Sequence, residues 1–255
     1  LGAGMEPLES QTFIRWKPGG LYKKMIAPLL NYHIKGVIWY QGESNTKNPE
    51  QYYDLFPALI KNWRAKWKIG DFPFLYVQLA NFMEERNQPM ESQWAELRQA
   101  QLSALSISNT GMAVTIDLGE WNDIHPLNKR DVGKRLALHA FQLAYNDKSV
   151  IASGPIPTSH KFNKTRAKIK FKNTGGGLMT KNGKSLAYFE LSADGKKYVK
   201  ADAKIKGNIV IISSDGVRNP VAVRYAWADN QGNANLYSIA GLPASPFQIE
   251  ISKEK

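Results

Sequence analysis

The chain contains no cysteine, which removes disulfide bridges and thiolate metal sites and leaves the redox compartment open. Histidine is scarce, with four in the chain, and no two of them share a helix face. No carboxylate cluster supplies ligand spacing either, so no metal site is expected. No run approaches the roughly eighteen apolar residues of a membrane span, and no membrane partner is expected. The opening residues Leu1-Gly-Ala-Gly-Met-Glu6 lack a basic region followed by an apolar core, the pattern of a signal peptide. Internal repeats and low-complexity tracts are also missing.

What remains is ample for a packed core. The 255 residues are 43% hydrophobic and include 7 Trp, 11 Tyr and 10 Phe, which argues against disorder and for one large domain or two ordinary ones. The net charge of +12 is uneven. Residues 1–150 carry 17 Lys and Arg against 15 Asp and Glu, giving +2; residues 151–255 carry 17 against 7, giving +10. Such a basic third suits nucleic acid or an acidic polymer. Its lysines, however, alternate with apolar residues, as in Lys168-Ile-Lys-Phe-Lys172, which is how the solvated face of a half-buried strand reads. No nucleic-acid partner is expected.

Apolar runs and helical periodicities alternate along the first part of the chain. Leu21–Tyr32 reads as a helix that Pro28 kinks or ends. Gly36–Tyr40, Phe72–Leu79 and Met112–Ile116 read as strands buried on both faces. Helices are expected at Pro49–Trp67, Gln93–Leu105 and Asn128–Tyr145. This alternation implies a parallel α/β sheet over residues 1–152. After Pro155 the period drops to two. Short strands at Lys168–Lys172, Ala187–Leu191, Ile205–Ile212, Ala222–Ala226 and Phe247–Ile251 imply a β-sandwich over residues 153–255, with His160 in the linker.

Two polar clusters follow strands of the expected parallel sheet. Gln41, Gly42, Glu43, Ser44 and Asn45 come directly after Val37–Tyr40, where ligands bind in open α/β sheets. The same five residues also read as a plain strand-to-helix loop in which Ser44 or Asn45 caps the next helix. Asp117-Leu-Gly-Glu-Trp-Asn-Asp-Ile-His-Pro126 follows the third strand. There Asp123 and His125 have the makings of half a hydrolytic triad, an imidazole acting as general base and a carboxylate holding its tautomer. Gln78 reads as pocket lining or structure, His139 as core or surface, and Trp39 and Tyr40 as core.

Trp39-Tyr-Gln-Gly-Glu-Ser-Asn45 and Asp123-Ile-His-Pro126 resemble two signature blocks of the sialate O-acetylesterase family, carbohydrate esterases of the SGNH (GDSL-like) hydrolases. Met25–Leu30, Trp94–Gln101, Val223–Ala228 and Gly241–Phe247 are similar to that family in the same order. The resemblance implies an SGNH-type three-layer α/β/α domain, hydrolysis of acetyl esters on sugars, and no cofactor. It assigns His125 as general base and Asp123 as its orienting acid, although related SGNH enzymes place that acid three residues before the histidine, where Asn122 stands here. Gln41, Gly42 and Asn45 become candidates for stabilising the oxyanion, and Glu43 for orienting the loop or touching substrate.

The family's nucleophilic serine lies in a Gly-Gln-Ser-Asn-Met block that this sequence does not contain, and Ser10 has no glycine before it. The expectation is therefore an α/β sheet incomplete at its N-terminus, in a chain inactive alone. Val37–Tyr40 is then an open edge that pairs with an N-terminal fragment or forms a homodimer. Because the family acts on glycans outside the cytoplasm, a periplasmic or secreted location is expected. Two non-enzymatic readings stand beside this one: a carbohydrate-binding protein built on the aromatic-rich sandwich, and a basic protein binding an acidic polymer.

Overall fold

The three apolar runs of the first half form one parallel sheet in the computed structural model, which describes residues 18–86 and 88–251. Its strands are β1 (Val37–Trp39), β2 (Phe74–Val77) and β3 (Thr110–Ala113), in that spatial order. Val37 faces Phe74 and Phe74 faces Thr110 across the two parallel ladders. Three helices cover the sheet: α1 (Pro49–Trp67), α2 (Gln93–Ser103) and α3 (Lys129–Leu143). Helices α1 and α2 bury Tyr52, Phe56, Ile60, Trp94 and Leu97 against Phe74, Tyr76 and Met112 on one face. Helix α3 buries Val132 and Leu136 against Leu75, Val77 and Ala113 on the other.

Ten antiparallel strands follow: β4 (Ile156–Phe162), β5 (Arg166–Lys172), β6 (Leu178–Thr180), β7 (Phe189–Ser192), β8 (Tyr198–Lys200), β9 (Asp202–Lys206), β10 (Ile209–Ser213), β11 (Ala222–Tyr225), β12 (Leu236–Ser238) and β13 (Phe247–Glu250). They form one sheet ordered β4-β5-β10-β9, a second ordered β13-β11-β7-β8, and the small pair β12-β6. Ile169, Phe171 and Val210 of the first meet Phe189, Leu191, Tyr225 and Phe247 of the second in a shared core. Along β5 Ala167, Ile169 and Phe171 are buried, while the lysines between them face solvent.

Several expectations need correction. Leu21–Tyr32 is not an α-helix; its turns are wide over Tyr22–Ile26 and tight over Ala27–Leu29, because Pro28 lacks the N–H that a continuing helix needs. Ile205–Ile212 is two strands, since Gly207 at φ 60° turns the chain into a hairpin. His160 lies inside β4 and not in a linker; exposed edge-strand residues give no apolar signal. Helix α1 begins after Asn48, so neither Ser44 nor Asn45 is its cap. Strand β1 is not buried on both faces: Ile38 is 67% exposed, and β1 bonds to β2 alone among the described residues. Ser10 lies outside the described residues.

The parallel sheet and the antiparallel strands are joined by polar side chains that are wholly or mostly buried. Arg98, on α2, is fully buried. Its Nε donates to the carbonyl of Leu79 at 2.7 Å, one terminal nitrogen to Ala228 O and Gln231 Oε1, and the other to Ala80 O and Asp229 O. Gln78, also buried, donates to Arg98 O and to Ser245 Oγ, which makes it structural. Gln231 Nε2 donates to Ile116 O, and the Tyr237 hydroxyl to Asp117, whose carboxylate holds Arg135 through both oxygens. Burial pulls the Arg98 guanidinium down to about 9, with Asp229 opposing, so it stays charged at neutral pH.

Replacing Arg98 by Met is expected to destabilise the protein by about 3–5 kcal/mol in denaturant unfolding, since it removes five buried hydrogen bonds and leaves Leu79 O, Ala228 O and Gln231 Oε1 without their donor. His139 gives a pH-dependent counterpart. It is buried on α3, and its Nε2 lies 2.9 Å from Met112 O, so the neutral ring donates there. Desolvation, opposed by that bond, lowers it to about 4 from an ordinary 6.5. The unfolded chain therefore takes up a proton first. Stability is full above pH 6.5 and falls by up to about 3 kcal/mol as the pH drops to 4. His139→Leu is expected to flatten that part of the profile, whatever its own midpoint.

Candidate active site

Residues 40–46 leave the carboxyl end of β1 as a loop whose shape is fixed from beneath. Gly42 sits at φ 151°, and a Cβ there would stand 2.8 Å from Leu97 Cδ2, so any side chain at this position is strained. Gln101, one helical turn beyond Leu97, donates through Nε2 to the carbonyls of Gln41 and Val77 and accepts from the N–H of Leu79 through Oε1. The Tyr52 hydroxyl, on α1, donates to the carbonyl and side-chain oxygen of Gln41. Gln41 Nε2 in turn donates to Asn45 Oδ1 at 2.6 Å. Both groups of the Gln41 amide are thus engaged inside the protein, while the Asn45 amide keeps its Nδ2 donors for other partners.

Glu43 is half-buried at the start of the single tight turn Glu43–Asn45. Its carboxylate lies near two phenols. Burial pushes Tyr40 up to about 12, and Glu43 adds to that. Tyr52 also rises to about 12 through burial, with Glu43 a smaller contributor opposed by the neighbouring Trp39 and Gln101 side chains. Both tyrosines are therefore neutral at any physiological pH; Tyr52 donates to Gln41, while the buried Tyr40 hydroxyl has no partner among the described residues.

The second cluster leaves the carboxyl end of β3, which is parallel to β1, so both clusters occupy one end of the sheet. Asn81 anchors the start of this segment, with Oδ1 accepting from Gly119 N at 2.8 Å. Ile124 packs into the core shared by Trp39 and Leu79. Lys129, four residues past His125, places Nζ 5.1 Å from the centre of the Tyr40 ring, one residue before Gln41. The segment carrying His125 is in this way tied to the strand that delivers Gln41–Asn45.

The His125 side chain is 87% exposed. Asp123 Oδ1 accepts the backbone N–H of His125 at 2.8 Å and lies 3.6 Å from Nδ1, so its shortest bond fixes the chain and not the ring. Among the described residues, no group of three or more His, Asp or Glu side chains is placed to hold a metal ion. Trp39 and Tyr40 pack against opposite faces of the sheet, as core. Sequence reasoning passed over Tyr52 and Gln101, the residues that hold the loop. Only their place on the apolar faces of α1 and α2 hints at them.

Comparison with known proteins gives the family of the chain. Residues 9–142, just over half of the chain, match the family model "Carbohydrate esterase, sialic acid-specific acetylesterase". The chain belongs to this carbohydrate esterase family. A sialate O-acetylesterase of Mus musculus is 30% identical over 91% of this chain and 47% of its own length. That of Homo sapiens is 37% identical over 54% of this chain and 29% of its own. A carbohydrate acetylesterase crystal structure from Xanthomonas citri superposes with a TM-score of 0.86 at 42% identity, over 90% of this chain and 54% of that one. The mixed α/β architecture, parallel sheet and antiparallel sheets together, matches the fold of that carbohydrate acetylesterase. The chain spans about half the length of the curated relatives that it matches over most of its residues.

The glycine in the loop is a sharp test of this geometry. Gly42→Ala is expected to lower stability by about 1–3 kcal/mol in thermal unfolding, from backbone strain and the contact with Leu97. An unchanged midpoint would mean that the loop is not held in the conformation described.

Proposed function

We propose that this chain carries the acid–base half of an SGNH-type carbohydrate O-acetylesterase that removes acetyl groups from sugars, sialic acid among them. The observation that carries the reading is the delivery of the His125 segment and the Gln41–Asn45 loop to one end of a parallel sheet. His125, exposed and free to meet a second group, takes the proton of a serine hydroxyl as that oxygen attacks the acetyl carbonyl. It then returns the proton to the departing sugar oxygen, leaving an acetylated serine. A water molecule, deprotonated by the same imidazole, releases acetate and restores the serine.

The oxyanion formed in each half meets Asn45 Nδ2 and the backbone of Gly42. Because the Gln41 amide is already occupied by Asn45 and Tyr52, Gln41 positions the loop, and Glu43 orients it or contacts substrate. Asp123 sets the backbone at His125.

The serine comes from a segment that pairs with the open side of β1. Supporting this are the missing Gly-Gln-Ser-Asn-Met block and the single ladder that β1 makes among the described residues. The exposure of Ile38, an apolar residue within β1, adds to it. The partner is an N-terminal fragment of the same protein, with homodimer formation through Val37–Tyr40 in its absence. The site acts on O-acetylated glycans in the periplasm or outside the cell, as the names of the relatives suggest for the substrate.

Acetate release from an aryl acetate tests this. The 255-residue chain alone is expected to turn over no faster than its His125→Ala variant. Adding a polypeptide with the Gly-Gln-Ser-Asn-Met block is expected to raise turnover at least about a hundredfold, only when His125 is present. Ile38→Lys, which places a charge on the open edge, is expected to weaken that rescue. Strong turnover by the chain alone, lost on changing Ser44, would overturn the proposal.

A further inference from the structure

The outer face of the sheet β4-β5-β10-β9 collects cations from β4, β5 and β9. Residues paired across neighbouring strands share a face, so the ladders fix which side chains lie together. One row runs Lys161, Lys168, Ile211, Lys204. The next runs Ser159, Lys170, Ile209, Lys206, and a third joins Arg166, Ser213 and Asp202. The six Lys and Arg side chains of these rows are exposed, against the single acid Asp202. None of the six forms an ion pair among the described residues.

A solvated face needs only polar side chains, and mixed signs serve it best. This face is nearly all of one sign. Lys161 stands directly opposite Lys168, a pairing of like charges that costs stability. Directly opposed lysines lie about 5 Å apart and those two apart on a strand about 7 Å, inside the screening length of about 8 Å at physiological salt. Water and salt leave part of that repulsion in place, and a polyanion laid across the face would relieve it.

We propose that this face binds an acidic polysaccharide, a chain of sugars bearing carboxylates, on a surface that shares no residue with the Gln41–Asn45 loop or the His125 segment. Lysine is a compact point charge that suits single carboxylates spaced along a chain, whereas phosphate recognition favours the arginine fork. At the Arg166 end the face deepens into a groove of about 570 Å³, bordered by the loop Ser214–Arg218. That loop adds Arg218 and Asp215, which cancel, while the Thr165, Ser213 and Ser214 hydroxyls there match those of a sugar. Ile209 and Ile211, half-buried in the middle of two rows, form a strip for its C–H groups. The three rows carry no aromatic ring on which a nucleic-acid base could stack. Nor do they carry an exposed large apolar side chain that could enter a lipid interface.

Binding is read without turnover, so this inference and the esterase reading fail separately. The 255-residue protein is titrated with a galacturonate oligomer, its methyl ester, a DNA duplex of equal charge, and vesicles containing phosphatidylserine. The acidic oligomer is expected to bind, losing about tenfold or more in affinity between roughly 50 and 200 mM salt. Its uncharged methyl ester is expected not to bind. Lys168→Glu with Lys204→Glu is expected to weaken binding roughly tenfold or more at an unchanged thermal midpoint, since both side chains are exposed. Lys204→Gln with Lys206→Gln, which removes charge without reversing it, is expected to weaken binding by a smaller factor. Lys61→Glu with Lys66→Glu, exposed on α1, makes the same change in net charge and is expected to leave affinity within about twofold. An equal loss in that control would mean that overall charge, and not this face, holds the polymer. That result, or tighter binding of the duplex or the vesicles than of the oligomer, would overturn the proposal. So would salt-sensitive self-association lost in the Lys168→Glu, Lys204→Glu variant, which would assign the face to a second copy of the chain.

Discussion

The Arg98 guanidinium has five N–H groups, and the fold places an acceptor against each of five directions: Leu79, Ala80, Ala228 and Asp229 carbonyls and the Gln231 side chain. No carboxylate bonds to it directly. A buried cation is tolerated because oriented carbonyl dipoles replace its water on all sides. Leu79 and Ala80 follow the carboxyl end of β2, the end at which the candidate site is assembled. The same helix face carries Trp94 and Gln101, three or four residues either side of Arg98, which reach Ala80 O, Leu79 N and the Gln41 carbonyl. Helix α2 thus sets the position of the Gln41–Asn45 loop and of the antiparallel strands with one row of side chains. Its start is fixed too, since Ser92 caps it and donates to Asp229.

A second anchor uses an ion pair. Asp117 accepts from Arg135 of α3 at 2.6 and 2.8 Å and from Tyr237 of β12, with Lys181 at 3.5 Å. Burial alone would raise its pKa, but Arg135, Tyr237 and Lys181 together outweigh that and hold the carboxyl below its ordinary value. Arg98, Gln231, Asp117, Arg135 and Tyr237 each have a partner and a direction at the junction. The junction is specified by geometry more than by apolar area, since few neutral arrangements satisfy so many groups at once.

Much of this was legible in the residues. A strand such as Val37–Trp39 followed by five polar residues announces itself, because the change from apolar to polar is abrupt and short-range. Helix α1 was read to the residue for the same reason: its aromatic residues recur at helical spacing, and Pro49 opens it. Strand β4 was not, since its middle residues face solvent at a sheet edge and carry no periodic signal. The paired strands β9 and β10 merged into one because Gly207-Asn208 is a turn too short to interrupt an alternating pattern. In the site, the motif led to His125, but not to the backbone bond that takes up Asp123. Nor did it lead to Tyr52 or Gln101, whose contacts with Gln41 span 11 and 60 residues. Long-range hydrogen bonds of this kind have no local pattern to betray them.

The arrangement around Arg98 has a consequence for biosynthesis. Its acceptors at Ala228, Asp229 and Gln231 lie 130 to 133 residues downstream, and Ser245, which accepts from Gln78, is 167 residues from it. While the ribosome is still making the antiparallel strands, the guanidinium has no complete set of partners and cannot be sealed from water. The parallel sheet is therefore made before the set of bonds to Arg98 can close, which needs residues 228–231. A nascent chain in that interval leaves the surface around Arg98 and Gln78 uncovered, the kind of state that chaperones engage and that aggregates when translation stops early.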